Sequence, residues 1–371
     1  MSDALEHEIS SYSASIRTDA IAFSVGELVN MYRDGEIIID PEFQRLFRWD
    51  MSRRSGLIES LLLSIPIPSL FLFERQDGVW ELIDGLQRLS TILEFMGELK
   101  KPNGKIAPPS VLEGTTYLKQ LHNAVWKKSD KIQLAIQDQN EIGKSLQLAI
   151  KRGRLSIQIL KKPSDQRTKY DLFQRLNSGG IGANAQEIRN CIMIMANRNM
   201  YKEVRLLTES SSFQTVFRLK GKKDDSQRGM ELATRLLVHT FSEYDNKTDV
   251  EQFIDEQVVL LADNLDPSAI TNTLSPTVKL LEEALQEDAL RPYRDGGFKG
   301  KLTLVGVEGI AAGLARNIEG VSQKDDPVAY VTSKAKSFWS QPQTDGITAP
   351  GMRGTTRIQR SVPFGAEWFS D

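Results

Sequence analysis

The spacing of apolar positions changes at one point in the chain. Val79-Trp80-Glu81-Leu82-Ile83 is rich in β-formers and alternates imperfectly, as a buried strand does. After Asp84-Gly85, the residues Leu86, Leu89, Leu93 and Met96 recur at helical spacing. The pattern predicts a strand, an Asp-Gly turn and a helix. Upstream, Ser24 caps a predicted helix through Tyr32 with Val25, Leu28 and Val29 on its apolar face. Residues 36–40 form a strand candidate stopped by Pro41. Ser52 is the expected cap of a helix to Ser64 with Leu57, Ile58, Leu61 and Leu62 inward. Pro66 and Pro68 end it, and residues 69–74 and 79–83 read as a β-hairpin through Gln76-Asp77-Gly78.

Residues 98–115, with Pro102, Pro108 and Pro109, read as a loop. Residues 117–151 are polar and moderately helical, with Leu118, Leu121, Val125, Ile142, Leu146 and Ile150 inward. Leu155, Ile157 and Ile159 alternate with Ser156 and Gln158, one more strand for the first sheet. Residues 170–178 form a helix candidate that stops at Gly179-Gly180. Asn184 with Glu187 makes a capping box for the next, whose apolar face is Ile188, Cys191, Ile192 and Met195. Cys191 is there a core residue rather than a nucleophile, and Arg189 and Asn190 fall off that face, free for solvent, a ligand or a partner. From about residue 200 the spacing is helical, in blocks at 232–241, 250–261, 280–285 and 302–314. Residues 341–357 are loop-like, and Trp368 and Phe369 dock the tail onto the body. The fold class is α+β: a small mixed sheet with helices, then a mainly helical C-terminal region. Residues 1–16 are a polar, mobile N-terminus, 17–195 the α/β domain and 196–371 the helical one.

Composition changes this picture little. The 371 residues carry a formal net charge of −2, with 40% hydrophobic and 26% charged residues, and so give no global case for binding nucleic acid or membrane. Charge is unevenly spread, however. Lys144 to Arg175 holds nine Lys or Arg against two Asp, and Asp245 to Asp295 holds twelve acids against four bases. The basic stretch reads equally as a solvated face or as a polyanion-binding surface. A single cysteine excludes an internal disulfide, and no apolar run approaches the ~20 residues of a membrane span. A cytoplasmic protein is the expectation.

The turn at Asp84-Gly85 is where chemistry is expected. Gly85 permits a positive φ, and its missing side chain leaves room for a ligand. The free N–H groups and positive dipole end of the new helix, with Arg88, Ser90 and Thr91 close by, suit a phosphate. The competing reading is an ordinary junction in which Asp84 caps the helix and Arg88 is a surface charge. His7, His122 and His239 lie far apart, no pair has metal-ligand spacing, and no Gly-rich segment ends in Gly-Lys-Ser/Thr.

Five ordered segments carry a resemblance: Phe43-Gln44-Arg45 with Trp49; Leu57-Ile58-Glu59-Ser60; Ile65-Pro66-Ile67-Pro68; Asp84-Gly85-Leu86-Gln87-Arg88; and Phe173-Gln174-Arg175-Leu176-Asn177-Ser178-Gly179-Gly180 with Gln186-Glu187-Ile188-Arg189-Asn190. Over residues 20–195 the chain resembles the DUF262 family, the N-terminal domain of GmrSD-type, modification-dependent restriction systems. That family is similar to the ParB/sulfiredoxin superfamily, whose related turn binds nucleotide phosphates. The resemblance implies a nucleoside triphosphate (GTP, ATP or CTP), with Mg2+, in control of a nuclease acting on foreign DNA. Gln44, Arg45, Asp84, Gly85, Gln87, Arg88, Ser90, Thr91, Arg175, Asn177, Gly179 and Gly180 would bind it. Glu59, Asp84 and Gln87 would do the chemistry if the chain is an NTPase. No metal-ligand set is expected from the protein itself.

Two departures matter. Leu86 stands where the family has the first Gln of Asp-Gly-Gln-Gln-Arg, and an aliphatic side chain cannot orient water, so binding could survive while hydrolysis weakens. Residues 200–371 carry no His-type nuclease signature, so the chain would need a separate nuclease subunit or would act by binding alone. A non-enzymatic ParB-like DNA-binding module is the alternative, and direct cleavage by this chain is less favoured.

Overall fold

The computed structural model describes Leu5 and residues 17–39, 49–161, 185–219, 225–347, 349 and 351–370. The chain forms two compact units, residues 1–182 and 183–371. Among the described residues no helix is long and apolar enough to cross a membrane.

The first unit is a mixed five-stranded sheet with helices, as the α+β reading requires. Its elements are β1 (Arg17–Ser24), α1 (Val25–Asp34), β2 (Ile37–Ile38), α2 (Met51–Leu62), β3 (Leu70–Glu74), β4 (Trp80–Asp84), α3 (Leu86–Phe95), β5 (Ala124–Val125), β6 (Asn140–Glu141), α4 (Lys144–Arg152) and β7 (Arg154–Lys161). The sheet order is β1-β7-β3-β4-β2. β3 and β4 are the expected antiparallel hairpin, with Leu72 opposite Leu82. β7 joins the sheet parallel to β3 and antiparallel to β1, burying Leu155, Ile157 and Ile159 on one side.

Ser24 caps α1 as expected, its side chain accepting from the Glu27 N–H. The cap of α2 is Asp50, not Ser52: the Asp50 carboxylate accepts from the Arg53 N–H at 2.9 Å. β1 has no counterpart in the apolar pattern. It is an edge strand, so Thr18, Ala20 and Ile21 stay exposed and carry no alternation to read. Residues 117–143 are mostly turns and short bridges rather than helix, and Leu146, expected inward, is exposed on α4. The amphipathic spacing was real, but the segment closes through turns pinned by Gln139, whose amide reaches the Ser129 and Leu134 carbonyls.

The second unit is helical: α5 (Ala185–Ala196), α6 (Arg198–Glu209), α7 (Ser211–Val216), α8 (Asp225–Phe241), α9 (Val250–Asn264), α10 (Ser275–Leu285), a short β8–β9 hairpin (Tyr293–Arg294, Gly297–Phe298), α11 (Ala312–Arg316), α12 (Ile318–Ser322), α13 (Pro327–Phe338) and α14 (Gly354–Trp368). Wider π-type turns occupy Ile270–Leu274 and Gly306–Ala311. The tail read as loop and docking aromatics is a full helix from Gly354, with Phe369 buried behind it. Helix α5 packs within the second unit, although its sequence motif continues that of the first.

Candidate functional site

The β4–α3 turn has the predicted form. Gly85 is left-handed at φ 98° and opens α3, whose first turn receives no side-chain cap. Three N–H groups at the head of a helix then have no intrahelical acceptor, and the dipole end is positive. Asp84 does not cap them. Its carboxylate instead accepts from Arg88 Nη2 at 2.7 Å, one helical turn along. Arg88 is no surface charge either. Its Nη1 donates to the carbonyls of Pro68 (2.6 Å) and Ser69 (3.0 Å), so one guanidinium ties the strand end to the extended entry of β3. The carbonyls of Pro68 and Ser69, in the extended stretch between α2 and β3, are thus both answered by Arg88.

The room expected beside Gly85 is filled. A Cβ placed there would lie 2.2 Å from Leu70 Cδ2, so glycine is required here for packing of the protein's own core as well as for its φ. Any ligand therefore meets the helix end from the solvent side of the turn.

Gln87, in the same first turn, uses its side-chain oxygen to accept the Trp49 N–H at 3.0 Å. The Trp49 carbonyl takes Arg54 Nε at 2.8 Å, and Arg54 Nη1 pairs with Glu94 at 2.5 Å. Burial raises the Glu94 carboxyl above its ordinary range, with the Arg54 charge pulling the other way. Arg54 and Glu94 sit on α2 and α3 and have no motif, so only the fold reveals that they hold Trp49 in place. The N-terminal neighbour of that segment is fixed too. β2 runs parallel to β4 with Ile38 opposite Glu81, so the chain leaves Ile39 toward the edge where β4 ends at Asp84. Trp49, the first described residue after the segment bearing Gln44 and Arg45, is thus held at this turn.

Other expected residues fall elsewhere. Ser90 and Thr91 are fully buried, and Thr91 spends its hydroxyl on the Gln87 carbonyl at 2.7 Å, so neither is open to a phosphate at the turn. Helical geometry explains the miss: positions five and six residues past the cap rotate onto the face that α3 buries. Glu59, a candidate base, is buried on α2. Its Oε1 accepts from the Thr115 hydroxyl and from the N–H groups of Tyr117 (3.2 Å) and Leu118 (3.1 Å), which makes it the anchor of loop 115–118. Gln44, Arg45, Arg175, Asn177, Gly179 and Gly180 lie outside the described residues. β7, which precedes the last four, finishes at the opposite end of the strands from Asp84, because β3 runs from Phe71 beside Asp84 to Phe73 beside Leu160.

Arg189 and Asn190, expected to be free, are buried on α5. Arg189 Nε meets Asp255 at 2.6 Å and its Nη2 meets Glu251 at 2.7 Å, while Gln186 donates to Asn190 and Thr234. The helix buries nearly its whole circumference, so a single apolar stripe did not define its inward side. Cys191 is buried, as its place on that stripe implied.

The turn can thus offer peptide N–H groups and a helix dipole to an anion, with Arg88 as a fixed positive charge behind them. Asp84, Gln87 and Glu59 are each engaged by protein groups.

The family described as "GmrSD restriction endonuclease, N-terminal domain" matches residues 25–194. No curated protein and no solved structure matches the chain.

Proposed function

We propose, from the match of residues 25–194 to the N-terminal domain of GmrSD restriction endonucleases, that the chain binds a nucleoside triphosphate at the β4–α3 turn to control restriction of foreign DNA. The observation that carries this reading is the uncapped, glycine-opened head of α3, with Gln87 in its first turn gripping Trp49. Arg45 is four residues before Trp49, a reach of at most ~14 Å of chain. It is the cation we assign to the phosphates, with Gln44 beside it. Arg88 acts from behind, since its own donors serve Asp84 and two carbonyls. Arg175, Asn177, Gly179 and Gly180 remain candidates for closing the far side, and Mg2+ would arrive with the triphosphate.

Binding without fast turnover is the form we favour. Leu86 cannot orient water, and the Gln87 side-chain oxygen is taken by Trp49. Cleavage of DNA then falls to a separate nuclease subunit.

Calorimetry with ATP, GTP and CTP, with and without Mg2+, tests the proposal. One nucleotide should bind, and Arg45→Ala should weaken it at least about tenfold with no change in thermal midpoint. Absence of binding, or full affinity in Arg45→Ala, removes the assignment. Steeply salt-dependent DNA binding that needs no nucleotide would favour the ParB-like DNA-binding alternative.

A further inference from the structure

The sequence Arg353-Gly354-Thr355-Thr356-Arg357 opens the last helix of the second unit. Arg353 is its N-cap residue, and no side chain caps the helix. An arginine at the positive end of a helix dipole is an unfavourable placement unless an anion joins it. The neighbouring helix α9 shows the ordinary solution: Asp249 caps it, accepting the Glu251 N–H at 3.0 Å. The two helix heads line one cleft of about 590 Å3, together with Arg235 and Arg357. That volume is within the range of small-molecule sites.

The second observation is independent of the helix. Arg235 is 5% exposed, and its Nη1 is buried with no hydrogen-bond partner among the described residues. Its other nitrogens are held, Nη2 by Glu251 at 2.6 Å and Nε by Glu231 at 3.3 Å. A buried guanidinium in the cleft wall thus keeps one unanswered donor, which is costly unless a ligand supplies an acceptor. Arg357 is fixed in the same wall by a two-pronged pair with buried Glu308. The acids of the cleft are already used: Glu251 holds Arg189 and Arg235, and Asp249 caps α9. Arg353 forms no ion pair among the described residues and is exposed at the rim. What remains unsatisfied in the cleft is a set of donors.

We propose that this cleft binds a phosphate-bearing small molecule of nucleotide size, its phosphate seated on the Gly354–Thr356 amides between Arg353 and Arg235. The site belongs wholly to the helical unit and does not depend on the triphosphate reading of the β4–α3 turn.

Calorimetric titration of the full chain with sodium pyrophosphate, and separately with ATP, at constant ionic strength tests it. Arg353→Glu and Thr355→Asp should each weaken pyrophosphate at least about tenfold at this site. Thr355→Asp should keep or raise the thermal midpoint, because a carboxylate in the first turn favours the helix. Arg45→Ala, in the other unit, should leave the pyrophosphate isotherm intact, and its effect on nucleotide affinity is read in the Arg353→Glu background, so the two sites fail separately. Unchanged pyrophosphate affinity in both cleft variants overturns the site. ATP that cannot compete with pyrophosphate overturns the nucleotide-sized ligand.

Discussion

Arg88 shows how one side chain can carry a motif and still be unavailable to a ligand. Its guanidinium joins a strand end, a helix and a proline-rich entry at once, so removing it strands Asp84 and two carbonyls. Arg88→Ala should cost about 2–3 kcal/mol of stability, read as a lower urea midpoint. A loss of nucleotide binding in that variant would then report on folding, which is why Arg45 is the better probe. Gly85→Ala combines a left-handed backbone with a 2.2 Å approach to Leu70. It should cost at least about 2 kcal/mol, and adding Leu70→Ala should not recover the backbone share of that loss, which a double-mutant cycle would measure.

His239 belongs to the same scale. Burial, then the charges of Arg235, Arg316 and Arg357, push its pKa down to about 3. The unfolded chain takes up that proton near pH 6.5, while the folded one does not until about pH 3. The contribution is therefore complete above pH 6.5 and is lost as pH falls toward 3, at about 1.4 kcal/mol per pH unit. Urea midpoints at pH 7, 6 and 5 should fall less steeply in His239→Gln than in the wild type.

At the scale of elements, the second unit depends on one close crossing. Helix α14 meets the Gly306–Ala311 segment and α11 through Gly309, Gly313 and Gly365. A Cβ at Gly365 would lie 2.0 Å from the Gly309 carbonyl oxygen, and one at Gly313 would lie 2.4 Å from Gly365. Backbone cannot move aside as a side-chain tip can, so Gly365→Ala should cost more than about 3 kcal/mol by thermal or urea unfolding. Gly320 in α12 has open space around its Cβ position, and Gly320→Ala should be neutral or stabilise by up to about 1 kcal/mol. The hairpin, α3 and the caps at Ser24 were legible because short-range spacing and capping chemistry decide them. β1 and the inward side of α5 were not, because an edge strand needs no alternation and a helix buried all round has no single face.

For the whole molecule, the position of α5 matters most. The Gln186-to-Asn190 motif reads in sequence as the last part of the first domain, yet Arg189, Asn190, Ile192 and Met193 are buried in the second unit. A fragment 183–371 should fold with a cooperative helical transition in circular dichroism. A fragment 196–371 should lose that cooperativity, because Glu251 and Asp255 would be left without Arg189 and the core without its apolar face. Equal cooperativity in both fragments would show that α5 is dispensable to the helical unit.

The β3–β4 hairpin, helices α1 to α3, the glycine-opened turn and the match of residues 25–194 to a known family were set by the sequence alone. These depend on residues close in the chain, or on a string of residues in fixed order. The partners of Arg88, Gln87, Glu59 and Arg189 were decided only by tertiary structure. A long polar side chain on a helix can serve solvent, a ligand or a distant carbonyl with equal local propensity. Which one it serves depends on what the rest of the fold brings within 3 Å.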